Sequence, residues 1–271
     1  KKTHAVLIAS EMGKPVTQAE SELEKCAFNC RFYAEHGAKW LADEVVDGPG
    51  KRNVITYQPL GVILMIMPWN YPFWQVLRLL PAILMAGNAV VLKHALNVLG
   101  CADALIELGR LAGLPEGLFQ QVVLPNEQMD ALVAHEIISG VALTGSPRAG
   151  KAVAASAARG LKPCLLELGG SDPYVILDDA DLEKAASVSV ASRLNNTGQV
   201  CIAAKRIIVT KGQYDAFYEA LMAELNNYRL GDPLDAETHL GPLARSDLRD
   251  LLHAQVEASI AAGAQCRVGG V

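Results

Sequence analysis

The sequence lacks a Cys-x-x-Cys pair, and its six cysteines (Cys26, Cys30, Cys101, Cys164, Cys201, Cys266) are scattered without any short metal-ligand spacing. In a long chain this argues against a disulfide framework or a metal site and fits reduced thiols in a cytosol. Cys26 and Cys30 stand one helical turn apart and read as two small buried hydrophobes. No block or stripe of lysine and arginine occurs and the formal net charge is −5, which argues against a nucleic-acid partner, whose phosphates need neutralising. Long apolar runs are missing too. Val62 to Met67 falls far short of the ~20 residues that cross a bilayer. The opening Lys1-Lys2-Thr3-His4, followed by Ala5 to Ile8 and then Glu11 and Lys14, carries no signal-peptide cleavage pattern. There is no internal repeat and no low-complexity linker.

What is present is enough for a large core: 271 residues, 51% hydrophobic and 20% charged, the profile of one to two globular domains. Short apolar, β-branched runs (Gly61 to Met67, Ala89 to Lys93, Gln121 to Leu124, Val141 to Thr144, Leu165 to Leu168, Tyr174 to Leu177, Arg206 to Thr210) predict strands. Longer amphipathic stretches between them (Asn97 to Ala112, Ala149 to Ala158, Leu182 to Arg193, Tyr214 to Tyr228, Ser246 to Ala262) predict helices. This alternation argues an α/β fold with mostly parallel strands covered on both faces. Asp47-Gly48-Pro49-Gly50 is turn chemistry, from which Lys51 to Tyr57 returns as a strand, and Gly87 and Gly113 stand where helices need left-handed caps. Character changes near Glu167 to Gly170, the best candidate for a domain boundary. The chain is expected to start inside a helix and to stop short just after Val268-Gly269-Gly270.

Four segments carry candidate chemistry. Asn195-Asn196-Thr197-Gly198-Gln199-Val200-Cys201 places a cysteine after a polar, glycine-containing bend; the thiol is either an exposed nucleophile or inert packing. Leu166-Glu167-Leu168-Gly169-Gly170 brings an acid out of an apolar strand, where a buried carboxylate needs a partner; it is a general base or a helix cap. Pro68-Trp69-Asn70-Tyr71-Pro72 brackets an asparagine with prolines, as suits an amide aimed at an oxyanion or a plain structural turn. Thr144-Gly145-Ser146-Pro147-Arg148-Ala149-Gly150-Lys151 runs from a strand into a helix whose N-terminal amides suit a phosphate. It also approaches a P-loop. Ala152 replaces the hydroxyl that would hold magnesium, however, and Pro147 removes a loop amide.

Together and in this order the four segments resemble the aldehyde dehydrogenase family over essentially the whole chain. Leu230-Gly231-Asp232-Pro233-Leu234 and Leu240-Gly241-Pro242-Leu243 resemble its catalytic-domain segment. The resemblance implies a Rossmann-type cofactor domain (residues 1–40 and 60–166), an oligomerisation hairpin (41–59) and an α/β catalytic domain (167–271), with both domains incomplete at the chain ends. It further implies a homodimer or homotetramer, assembled through that hairpin and a C-terminal strand absent from this sequence, acting on a small-molecule aldehyde; the composition adds the expectation of a cytoplasmic protein without nucleic acid, membrane or metal.

By the same resemblance Cys201 attacks the aldehyde, Asn70 and the Cys201 N–H hold the oxyanion, and Glu167 activates the hydrolytic water. Lys93 matches the residue that binds the adenosine ribose and Ser146 the pyrophosphate contact, with Met67, Trp69, Gly145 and Gly150 along the same cofactor path. Three residues past the lysine, where NAD-preferring members often carry glutamate, this chain has Leu96, which implies NAD or NADP as cofactor. The chain looks most like the bacterial succinate-semialdehyde dehydrogenases of the family, in which Arg78 matches an arginine for the substrate carboxylate, with Trp74 beside it. The second arginine of some members is Asn195 here. A truncated, non-catalytic homologue and a P-loop nucleotide-binding protein are the rival readings.

Overall fold

In the computed structural model, which describes residues 1–270, the chain opens with two helices, α1 (Lys2–Met12) and α2 (Val16–Trp40). A short antiparallel hairpin follows, β1 (Glu44–Val46) against β2 (Asn53–Ile55), joined through the Gly48 to Gly50 turn. The elements that succeed it are β3 (Val62–Met67), α3 (Trp74–Leu77), α4 (Leu80–Met85), β4 (Ala89–His94), α5 (Leu99–Leu111), β5 (Phe119–Gln121), α6 (Met129–Ala134), β6 (Ile138–Gly145), α7 (Pro147–Arg159) and β7 (Cys164–Leu168). Beyond Gly170 lie β8 (Pro173–Ile176), α8 (Leu182–Leu194), β9 (Arg206–Val209), α9 (Tyr214–Leu225) and α10 (Ser246–Ala261). Among the described residues no helix is long and apolar enough to cross a membrane.

The chain divides into two compact units, one of Lys1–Ile8 with Thr17–Gly170, the other of Ala9–Val16 with the chain from Ser171 onward. The first is built on a five-stranded sheet in the order β5-β4-β3-β6-β7, parallel throughout. β3 is apolar at every position, as suits a central strand paired along both edges; Ile63, Leu64, Met65 and Met67 are buried and Val62 and Ile66 half-buried. Leu64, Val141 and Leu143 pack together with Val153 and Ala157 of α7. At an average of about 2 kcal/mol per fully buried large aliphatic side chain, this layer is a main source of the unit's stability. The start of β3 is fixed by Asn88, whose Oδ1 accepts from the Leu60 and Gly61 amides at 2.7 and 3.0 Å. Gly87, at φ 82°, ends α4 and turns the chain into β4.

One predicted strand is displaced. Gln121 to Leu124 was expected to be extended, but β5 is Phe119–Gln121, paired with Val90 to Leu92. Phe119 is the buried residue and Val123 is 54% exposed, so the aromatic ring sets the position of this edge strand; Val122 still donates to the Leu92 carbonyl at 2.8 Å, and Val123 turns to solvent.

The second unit has a smaller two-stranded parallel sheet of β8 and β9, with Ile176, Ala186 and Phe217 as the core beneath α8 and α9. Asp181 caps α8, its Oδ1 accepting from the Lys184 amide at 3.1 Å.

Candidate active site

In the first unit the strand order makes a switch point. The chain enters at β3, adds β4 and β5 on one side and then returns to add β6 and β7 on the other, so the carboxyl ends of β3 and β6 are adjacent with connections leaving in opposite directions. Ligands of open α/β sheets bind outside such a crevice. A cleft of ≈ 520 Å³ opens there, lined by Ile66, Lys93, Asn126, Glu127, Met129, Leu143, Ser146, Arg148, Ala149, Ala152 and Val153. Its apolar walls suit a flat ring, while Lys93, Ser146 and Arg148 supply polar and cationic groups of the kind that phosphate and ribose need. The adenosine half of a dinucleotide fits this lining.

Lys93 stands near the end of β4, only 7% exposed, with Nζ 3.3 Å from Asn126 Oδ1. Burial pushes its pKa down. Ser146 is the N-cap of α7, its Oγ accepting from the Ala149 amide at 3.2 Å. Gly145 closes β6, and Gly150 lets α7 approach the Leu168 side chain, which would lie 2.6 Å from an added Cβ. The P-loop alternative fails on this geometry. α7 begins at Pro147, so Gly150 and Lys151 lie inside the helix rather than in a phosphate-wrapping loop, and Ala152 turns a methyl toward the cleft.

Beyond the buried Met67, the segment Pro68 to Phe73 leaves β3 and carries the half-buried Trp69 and Asn70. It is held from two sides. His94 Nε2 donates to the Pro72 carbonyl at 2.9 Å while its Nδ1 accepts from the Ala95 amide, an arrangement that fixes one neutral tautomer. The buried Glu22 of α2 accepts from the Phe73 and Trp74 amides, both at 2.9 Å. Trp74 itself has the Lys25 ammonium 4.0 Å from its ring centroid.

Arg78, at the end of α3, reaches the ends of β6 and β7. Its Nη2 donates to Thr144 Oγ1 at 3.0 Å, and its Nη1 lies 3.8 Å from Glu167 Oε2. The Glu167 side chain is 52% exposed rather than buried, because β7 is an edge strand with a single neighbour. The structure therefore brings Glu167, Arg78 and Thr144 together in this unit and lines a separate cleft with Lys93 and Ser146.

Cys201 belongs to the second unit and is exposed. The bend before it is left-handed at three successive residues: Asn196 (φ 52°), Thr197 (φ 57°) and Gly198 (φ 76°). Glycine and asparagine tolerate that region; a β-branched threonine is strained there by about 1–3 kcal/mol. The bend is tied down nevertheless. Thr197 Oγ1 donates to the Gly241 carbonyl at 3.2 Å and accepts from its amide at 3.1 Å. Gln199 donates from Nε2 to the Asn196 carbonyl and accepts through Oε1 from the Ala244 amide, at 3.1 and 3.0 Å. Lys205 Nζ donates to the Cys201 carbonyl at 2.6 Å.

Sequence reasoning missed Glu22 and His94 as supports of the Asn70 segment, Asn126 as the partner of Lys93, and Arg148 in the cleft. Only Arg148 left a local trace, as a cation in the first turn of a helix, where the macrodipole disfavours it.

A profile of the aldehyde dehydrogenase family matches residues 1–271. The chain is 48% identical over 266 residues to succinate semialdehyde dehydrogenase (NAD(P)+) Sad of Escherichia coli (strain K12), covering 98% of this chain and 58% of that protein. It is 48% identical over 266 residues to a probable succinate-semialdehyde dehydrogenase (NADP(+)) of Synechocystis sp., covering 98% and 59%. Among solved structures, succinic semialdehyde dehydrogenase from Streptococcus pyogenes in complex with NADP+ superposes with a TM-score of 0.96 at 35% identity, covering 100% of this chain and 59% of that one. The chain thus spans less than two thirds of the length of these relatives.

Proposed function

The chain belongs to the aldehyde dehydrogenase family, and on that premise we propose that it forms part of an enzyme that oxidises succinate semialdehyde to the acid with NAD+ or NADP+. The observation that carries the reading is the switch-point cleft, where a buried lysine and a serine-capped helix meet apolar walls, in a chain that matches the family over residues 1–271. In this reading the first unit holds the cofactor, the second carries the nucleophile, and the β1–β2 hairpin joins subunits into a homodimer or homotetramer. A cytoplasmic location is part of this reading, and the six free cysteines are compatible with it.

The Cys201 thiolate attacks the aldehyde carbon, and the oxygen that becomes negative is held by the Asn70 amide and the Cys201 N–H. One such donor contributes roughly 3–4 kcal/mol to the transition state. Bound NAD(P)+ supplies the hydride acceptor. The thioester left on Cys201 is released by a water whose proton Glu167 accepts. Lys93 and Ser146 hold the adenosine ribose and the pyrophosphate, with Met67, Trp69, Gly145 and Gly150 shaping the path between them. Arg78, with Trp74 at its side, receives the distal carboxylate of the substrate. Leu96, half exposed beyond Lys93, offers no carboxylate against a 2′-phosphate, which supports use of both cofactors.

An assay that follows reduced cofactor across a panel of aldehydes tests the reading. Succinate semialdehyde is expected to be the best substrate with either cofactor, and Cys201→Ser to abolish turnover. Unchanged turnover in Cys201→Ser would remove the proposed nucleophile.

A further inference from the structure

Two cations reach the switch-point cleft, and the reading above uses only one of them. Lys93 lies at the end of β4 and is engaged by Asn126. Arg148 comes from the first turn of α7, and among the described residues its guanidinium makes no hydrogen bond and no ion pair. An exposed, unpaired arginine on an ordinary helix face is solvated and needs no explanation. This one is placed where its own helix disfavours it, because the positive end of the α7 dipole lies beneath it and the first turn holds no acidic residue to offset either charge. Local choices that oppose the fold without a structural return are where function is to be sought.

The other charged group of the lining is Glu127, which enters from the segment before α6 and forms no ion pair with Arg148 or Lys93. With one carboxylate against two cations the lining stays net positive. The Ser146 hydroxyl and the Arg148 amide, which lacks a partner among the described residues, add donors at the start of α7, where Pro147 carries no N–H and the Ala149 and Gly150 amides are already paired. A guanidinium is a planar fork that matches two oxygens of a phosphate at once, which a lysine ammonium cannot do.

We propose that Arg148 is a phosphate-binding residue of this cleft, taking a phosphate of a bound adenosine nucleotide. The proposal rests on the cofactor reading and deepens it, since that reading assigns Arg148 no part. Two phosphates of a nicotinamide dinucleotide share this chemistry, the one esterified at the 5′ position and the one that NADP+ carries at the 2′ position.

Calorimetric titration of the protein and its Arg148→Ala variant with adenosine, 5′-ADP and 2′,5′-ADP separates them. The variant is expected to lose roughly tenfold or more in affinity for a phosphorylated ligand, as fits one charge-assisted contact, with adenosine unchanged. Loss confined to 2′,5′-ADP assigns Arg148 to the 2′-phosphate; equal loss for both nucleotides assigns it to the 5′-phosphate. Arg148→Lys, which keeps the charge but not the fork, is expected to recover only part of the affinity. Unchanged binding of both nucleotides by Arg148→Ala, or an equal loss for adenosine, overturns the proposal while leaving the cofactor site standing. Failure of all three ligands to bind the unsubstituted protein overturns the cofactor reading itself.

Discussion

Arg78 Nη1 lies 3.8 Å from Glu167 Oε2 while its Nη2 donates to Thr144 Oγ1, so the arginine matched to a substrate carboxylate already faces a carboxylate of its own chain. The pair is loose and Glu167 is half exposed, so solvent screening keeps its contribution to stability small. Its consequence is for catalysis. On the proposed reading, a distal carboxylate arriving at Arg78 competes with Glu167 for the same guanidinium. Arg78→Ala is expected to raise KM for succinate semialdehyde by roughly tenfold or more relative to an uncharged aldehyde, the value of one bidentate charged contact. It is also expected to lower kcat on both, through a less well held Glu167. Steady-state kinetics on the two aldehydes decide it, and equal KM changes would remove the carboxylate role.

Lys93 yields a prediction with a definite sign. Burial pushes its pKa below 10.5, so in the window between the lowered value and 10.5 the unfolded chain binds more protons than the folded one. Stability therefore rises with pH through that window. Lys93→Met removes the desolvated charge at nearly constant length. The variant is expected to be at least as stable as the parent at neutral pH, to lose the alkaline rise, and to bind adenosine nucleotides roughly tenfold or more weakly. Urea denaturation at several alkaline pH values, paired with nucleotide titration, checks all three; an alkaline rise that survives in the variant would clear Lys93 of causing it.

The strands and helices of this chain were legible because their signal is local. The unbroken apolar run of β3 and the helical spacing of α5, α7, α8 and α9 each record burial by near neighbours. β5 was displaced because Phe119, one aromatic at a sheet edge, outweighs three apolar residues that follow it. Motifs nominate the candidate site residues but not the groups that hold them. Glu22 meets Phe73 across 51 positions, Arg78 meets Thr144 across 66, and Thr197 meets Gly241 across 44, separations at which no periodicity survives. The half exposure of Glu167 likewise depends on β7 being the last strand, a property of topology rather than of the residues around it.

Leu161 is the clearest strained position on the surface. It takes φ 51° in the turn between α7 and β7 and is 93% exposed, so its side chain gains nothing from burial that would offset the left-handed backbone. Asparagine tolerates that region without the extra unfolded-state entropy of glycine. Leu161→Asn is expected to raise stability by about 0.5–1 kcal/mol with no change in nucleotide binding. Thermal and urea midpoints are the measurement, and a loss of stability would mean that the leucine makes a compensating contact.

The bend before Cys201 is held against its own backbone preference, and Thr197 is where the restraint can be tested. Its hydroxyl is both donor and acceptor to Gly241, whose backbone polar groups would otherwise lose these protein partners. Thr197→Val keeps the shape and removes both bonds, at an expected cost of about 1–3 kcal/mol. Thr197→Ser keeps the hydroxyl and relieves β-branching in a left-handed residue, so it is expected to match the parent or exceed it. Gly241 has no freedom to yield, since a Cβ there would stand 1.9 Å from the Gly13 carbonyl oxygen. Gly241→Ala is therefore expected to be the most disruptive of the three, because the obstructing atom is backbone and cannot rotate away. If the bend positions the nucleophile, Thr197→Val lowers kcat with little change in KM while Thr197→Ser does not, and denaturation midpoints follow the same order. Equal kcat in the valine and serine variants would show that the hydroxyl bridge serves folding alone.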